Sequence, residues 1–63
     1  MSLSEARLQE SAARRACVRL ADRLRGAREW DSVRRSVLAR QAMEAERELA
    51  WAEATRRSIE AGA

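Results

Sequence analysis

The most informative segment of this chain runs from Leu38 to Ile59 and reads LARQAMEAERELAWAEATRRSI. Its apolar residues recur at steps of three and four, which places them on one face of an α-helix. They are Leu38, Ala42, Ala45, Leu49, Ala52 and Ile59. A second series is spaced by multiples of seven on another face and comprises Trp30, Val37 and Trp51, with Glu44 at the missing position. A helix with two apolar faces has more than one neighbour, so this segment predicts a helix that packs on two sides.

The residues before this segment predict a first helix from about residue 3 to residue 25. Ser2 and Glu5 have the spacing of a capping box, in which each side chain satisfies the backbone N–H of the other residue. The apolar stripe of this helix has nearly the heptad spacing of a coiled coil, and Glu10 interrupts it. The stripe consists of Leu3, Ala6, Ala13, Cys17, Leu20 and Leu24.

Gly26 is the only helix breaker between the two apolar stripes. It predicts a left-handed helix stop, followed by a connection over residues 26–31 in which Trp30 folds back over the helix ends. Asp31 or Ser32 would then cap a second helix over about residues 32–60. The alternative is one long coiled-coil helix through Gly26, since an interior glycine costs only about 1 kcal/mol. The apolar register shifts by one residue between the two halves, which favours the hairpin.

The composition predicts an all-α protein with a thin core. The 63 residues contain no proline, and alanine, arginine, glutamate and leucine dominate. We therefore expect a single domain over residues 1–63, folded as a two-helix antiparallel hairpin. Chains of this size bury little apolar surface, so we expect the hairpin to be completed as a four-helix bundle or by docking on a partner.

The charge is uneven along the chain, and all 13 basic residues are arginine. Residues 1–40 carry a net charge of +5 and residues 41–63 a net charge of −2, which favours antiparallel packing. The arginine excess has two interpretations, a GC-rich codon bias with a solvated face, or contacts to phosphates or an acidic partner. The candidates for such contacts are Arg15, Arg19, Arg23, Arg34, Arg35 and Arg40.

The residue types present exclude most catalytic chemistry. The chain has no histidine, one cysteine and no glycine-rich loop, so we expect no enzyme activity, cofactor or metal site. Cys17 lies on an apolar stripe and is expected to be a buried, unreactive thiol. Glu10 and Glu44 interrupt apolar stripes, and a carboxylate there could specify register, pair with an arginine across an interface, or ligate a metal.

These patterns predict a small protein–protein interaction module, such as an oligomerising adaptor, an assembly subunit or a chaperone-like subunit. Its partner would be itself, as a homodimer or higher oligomer, or a larger protein. The expected interface residues are Trp30, Val33, Val37, Leu38, Leu49, Trp51 and Ile59. The alternative is an arginine-rich regulator that binds RNA or DNA. With no apolar run of membrane-spanning length, we expect a cytoplasmic protein that does not bind membranes.

Overall fold

The computed structural model describes residues 1–28 and 30–62. Helix α1 spans Leu3–Gly26 and helix α2 spans Ser32–Gly62. The two helices pack side by side in opposite directions and form a rod with Cα extents of 50 × 13 × 13 Å. The described residues form no strand. The prediction of an all-α hairpin is therefore confirmed, and the alternative of one continuous helix is wrong because residues 27, 28, 30 and 31 are not helical.

Local side-chain bonds fix where each helix begins. Ser2 adopts extended backbone, and its Oγ accepts a hydrogen bond from the Glu5 N–H at 3.2 Å, which is one half of the predicted capping box. At the start of α2, Oδ1 of Asp31 accepts from the Arg34 N–H at 3.1 Å. The Asp31 carbonyl accepts the first helical bond, from the Arg35 N–H at 3.1 Å. Asp31, rather than Ser32, is therefore the cap of α2.

The end of α1 differs from the prediction. Gly26 is still helical, and neither described glycine has a positive φ, so the predicted left-handed stop is wrong. The chain leaves the helix at Ala27, which has φ −72° and ψ 134°. The Ala27 N–H donates to the Leu24 carbonyl at 3.3 Å, which closes the last turn without any residue in left-handed backbone.

The connection is a tight turn that exposes its tryptophan. The Asp31 N–H donates to the Arg28 carbonyl at 3.0 Å, and Nη1 of Arg35 donates to the Ala27 carbonyl at 3.1 Å. Trp30 is 76% exposed, with the Arg28 guanidinium 5.7 Å from its ring centroid. The expectation that Trp30 covers the helix ends is wrong, because most of the surface of this residue stays in contact with solvent.

The two predicted apolar stripes meet along the seam, meaning the line of contact between the helices. Its buried apolar residues are Ala6, Leu38, Ala45 and Ala52. The other stripe residues, including Cys17, are half-buried, so Cys17 is less enclosed than expected. Among residues 1–28 and 30–62, three of the four buried apolar side chains are alanine, which allows close helix contact but leaves the core small. Over the described residues, neither helix contains a stretch long and apolar enough to cross a membrane.

Candidate interaction surface

A carboxylate is buried on the seam and fully paired. Glu10 is 8% exposed, and its Oε2 accepts a hydrogen bond from Nε of Arg56 on the facing helix. Its Oε1 accepts from Nη2 of Arg14 at 3.1 Å. Of the three roles considered for a carboxylate on the stripe, the observed one is ion pairing with arginine across the helix–helix contact. Both oxygens are satisfied, as burial of a charge requires.

Arg56 stays charged in this arrangement. The hydrogen bond to Glu10 is the main cause that raises the pKa of Arg56, with a smaller contribution from Glu60, whereas burial acts in the opposite direction. A group whose pKa is raised on folding contributes stability at every pH below its ordinary value, which here covers all physiological conditions. The sequence contains a signal for the position of Arg56 on the seam, because this residue continues the series of Ala42 and Leu49 at steps of seven.

Further ion pairs surround this buried one. Between the helices, Arg7 pairs with Glu60 at 3.4 Å and Arg14 pairs with Glu53 at 3.4 Å. Within α2, Arg56 pairs with Glu60 at 3.0 Å and Arg57 pairs with Glu53 at 3.7 Å, each across one helical turn. Exposed pairs of this kind contribute little stability individually, but together they oppose other registers.

These ion pairs occupy one flank of the hairpin, which we call the ion-pair side. An α-helix turns about 100° per residue, so residues two apart point in nearly opposite directions. Glu53 and Arg14 carry the inter-helix pair on this side. Trp51 and Ala12, each two residues earlier, therefore lie on the other flank. In the described residues, no ion pair joins the helices on that other flank.

The other flank, which we call the groove side, has an open groove of about 450 Å³. One wall is α1 and the other is α2, and Trp51 stands at the rim with 57% of its surface exposed. The groove is lined by Gln9, Ala12, Ala13, Ala16, Glu48, Trp51 and Ala52. Further along α1, Ala16 and Leu20 border a smaller hollow of about 250 Å³ with Arg19 and Arg23. The groove side thus combines a large exposed aromatic side chain with a wall of small residues.

The groove side extends toward the connection because α2 is longer than α1. Three ion pairs join the helices within the described residues, and in each pair the two residue numbers add up to 66 or 67. By this register, the end of α1 at Gly26 lies level with about residue 40 of α2. The first turns of α2 therefore project beyond α1. Val33 and Val37 lie on this projecting part and are 76% and 47% exposed. Val37 is two heptads before Trp51 and so continues its stripe.

The predicted interface residues separate into three groups. Trp30, Val33, Val37 and Trp51 are exposed. Leu49 and Ile59 are half-buried along the seam. Leu38 is 7% exposed on the seam, so its surface is used inside the hairpin and is not available to a partner.

The predicted arginine contacts are also distributed unevenly. Arg15, Arg19, Arg23, Arg34 and Arg40 are exposed, whereas Arg35 is half-buried and bonded to the connection. Arg23 and Arg34 come together around a hollow of about 430 Å³ at the connection. Its lining is completed by Gly26, Ala27, Arg28, Trp30 and Asp31. The structure does not bring Arg15 or Arg40 into this hollow.

Nothing in the described part of the chain resembles a metal centre, since no three histidine, cysteine, aspartate or glutamate side chains there are grouped to hold an ion. The features that remain are contact surfaces, namely the groove side and the arginine-lined hollow. Searches against protein-family models, curated proteins and solved structures each found no match to this chain.

Proposed function

We propose that this chain is a small non-enzymatic protein–protein interaction module that binds its partner through the groove side. The single observation that carries the proposal is the placement of Trp51. This side chain is 57% exposed at the rim of a groove walled by alanines, on the flank opposite the ion pairs. Buried tryptophan dominates the binding energy of many interfaces, and burying one removes about 150–250 Å² from water.

The two flanks of the hairpin carry different kinds of contact, and this difference supports the proposal. The ion-pair side carries the contacts of Glu10, Arg56 and their neighbours between α1 and α2, so the groove side is left free for a partner. A preformed surface loses less entropy on binding than a disordered segment does. The exposed Val37 and Val33 extend the apolar surface beyond the groove.

In-cell photo-crosslinking tests the proposal. A photoreactive phenylalanine derivative replaces Trp51 in the full chain, and a matched chain carries it in place of Glu46, which is exposed but lies about 140° around the helix. We expect a discrete protein adduct, of either the same or a different chain, from position 51 and none from position 46. Equal adducts from both positions, or none from either, would contradict an interaction through the groove side.

A second candidate function is binding to single-stranded RNA or DNA at the connection. The hollow there combines Arg23, Arg28 and Arg34 with the exposed ring of Trp30. Arginines can contact phosphates while an aromatic ring stacks on a base. Binding of a fluorescent oligonucleotide should then weaken steeply with salt, and Arg34→Ala should reduce the slope of log affinity against log salt by about 1. A flat salt response, or equal loss in the Arg40→Ala control, counts against this candidate.

A further inference from the structure

We infer that the partner on the groove side is a second copy of this chain, related by a two-fold axis parallel to the helices. This inference rests on the proposed function and names the occupant of its surface. Helix α1 of each copy would lie against α2 of the other copy, and the four helices would form an antiparallel bundle. Three features of the groove side favour this occupant, namely its register, its charges and its area.

The register follows from the symmetry. A two-fold axis parallel to the helices leaves every residue at its own height along the rod. Within the hairpin, residues of α1 and α2 whose numbers add up to about 67 lie at the same height along the rod. The same rule then holds between α1 of one copy and α2 of the other. Ala16 therefore lies level with Trp51 of the second copy. Each indole would pack on the small residues Ala12 and Ala16, where a large side chain on α1 would keep the helices apart.

The charges on the groove side are complementary in the same register. Arg19 and Arg23 are exposed on α1 beside Ala16 and Leu20. Glu48 and Glu44 are exposed on α2, where Glu48 lines the groove and Glu44 precedes Trp51 by one heptad. Arg19 is level with Glu48 of the second copy, and Arg23 is level with Glu44. The two-fold axis produces each pair twice, so four opposite-charge pairs would flank the two tryptophans.

The hairpin has enough surface for such an interface. Its accessible surface is 4938 Å². A stable interface of standard size buries about 800 Å² of each partner, which is roughly one sixth of that surface. One flank of a rod with a 50 Å long axis can supply this area. The bundle would also remedy the thin core, since the half-buried residues on both seams would become interior.

Sedimentation equilibrium of the purified full chain over a concentration series tests the inference. We expect a monomer–dimer equilibrium, and Trp51→Ala should raise the dissociation constant by at least about 30-fold. The matched control is Met43→Ala, because Met43 is on the same helix, is also 57% exposed and points about a quarter turn away from Trp51. The control should leave the dissociation constant nearly unchanged. Circular dichroism of each variant checks that the helices persist.

Charge reversal tests the register itself. Glu48→Arg and Arg19→Glu should each weaken the dimer, because each places like charges opposite one another. The double variant should recover most of the affinity. A dimer that is unaffected by Trp51→Ala, or a double variant weaker than both single variants, would overturn the proposed arrangement.

A chain that remains monomeric at all concentrations would overturn self-association altogether. If position 51 still yields an adduct with a different protein in cells, the proposed interaction function stands while this inference fails. If position 51 yields no adduct either, both fail, so the two experiments separate the two claims.

Discussion

The Nε atom of Arg56 donates a hydrogen bond to Oε2 of Glu10, a carboxylate 46 residues away along the chain and 8% exposed on the seam. Each residue occupies a heptad position that is otherwise apolar. The pair therefore aligns one particular height of α1 with one particular height of α2. Any shift of one helix along the other would leave a charge in the seam without its partner.

Breaking this pair should destabilise the hairpin. Glu10→Gln keeps the shape of the side chain but removes its charge, so we expect the thermal midpoint to fall by several degrees. The double variant Glu10→Leu with Arg56→Leu should be more stable than either single variant, because two facing apolar residues replace the charge pair. Thermal unfolding followed by circular dichroism at one fixed chain concentration measures the series. Single variants as stable as the unmodified chain would show that the pair does not constrain the seam.

The exposed pairs provide the comparison for that experiment. Arg7 lies at the outer edge of the ion-pair side, and its side chain is 63% exposed. Arg7→Ala should change the free energy of unfolding by less than about 0.5 kcal/mol, because water screens the interaction with Glu60. A loss as large as that of Glu10→Gln would mean that the outer ion pairs, and not the buried one, hold the two helices in register.

Gly26→Ala should stabilise the protein. Gly26 is helical with a negative φ, and a Cβ atom added there meets no atom within 4 Å. Alanine restricts the unfolded chain more than glycine does, so we expect a gain of about 0.5–1 kcal/mol in the free energy of unfolding. Urea denaturation measures this gain. A loss of stability would instead indicate that Gly26 adopts left-handed backbone in solution.

The cap of α2 makes a separate prediction. Asp31→Ala removes the acceptor of the Arg34 N–H and should cost about 1 kcal/mol of unfolding free energy. Ser32→Ala is the matched control, since Ser32 is the neighbouring residue and is exposed at the first helical position. Its effect should be within about 0.5 kcal/mol, as for most surface substitutions. Equal losses in urea denaturation would show that the two residues share the capping role.

The two tryptophans should respond differently to concentration. Trp30 is 76% exposed at the connection, outside the proposed dimer interface, whereas Trp51 lies within it. Two single-tryptophan variants separate the signals. In Trp51→Phe, which retains Trp30, acrylamide should quench the fluorescence equally at all chain concentrations. In Trp30→Phe, which retains Trp51, acrylamide should quench the fluorescence less as the chain concentration rises. Concentration-independent quenching of Trp51 would argue that this ring stays in water.

The local sequence was sufficient to predict the helices and their faces. The three-and-four spacing from Leu38 to Ile59 and the matching stripe from Leu3 to Leu24 gave the seam, because side-chain direction along a helix depends only on spacing. The cap at Ser2 was equally local. The predicted left-handed stop at Gly26 is wrong, because the helix ends where the backbone becomes extended at Ala27. The presence of a glycine does not distinguish between these two ways of ending a helix.

Residue spacing was enough to predict two amphipathic helices, the residues that line their contact and a carboxylate among those residues. The packed hairpin was needed to show that Glu10 meets Arg56, that the inter-helix ion pairs share one flank, and that Trp51 is left exposed on the other. The difference arises because spacing fixes angles within one helix only. The relative height and rotation of two helices depend on contacts between residues tens of positions apart, which no local pattern contains.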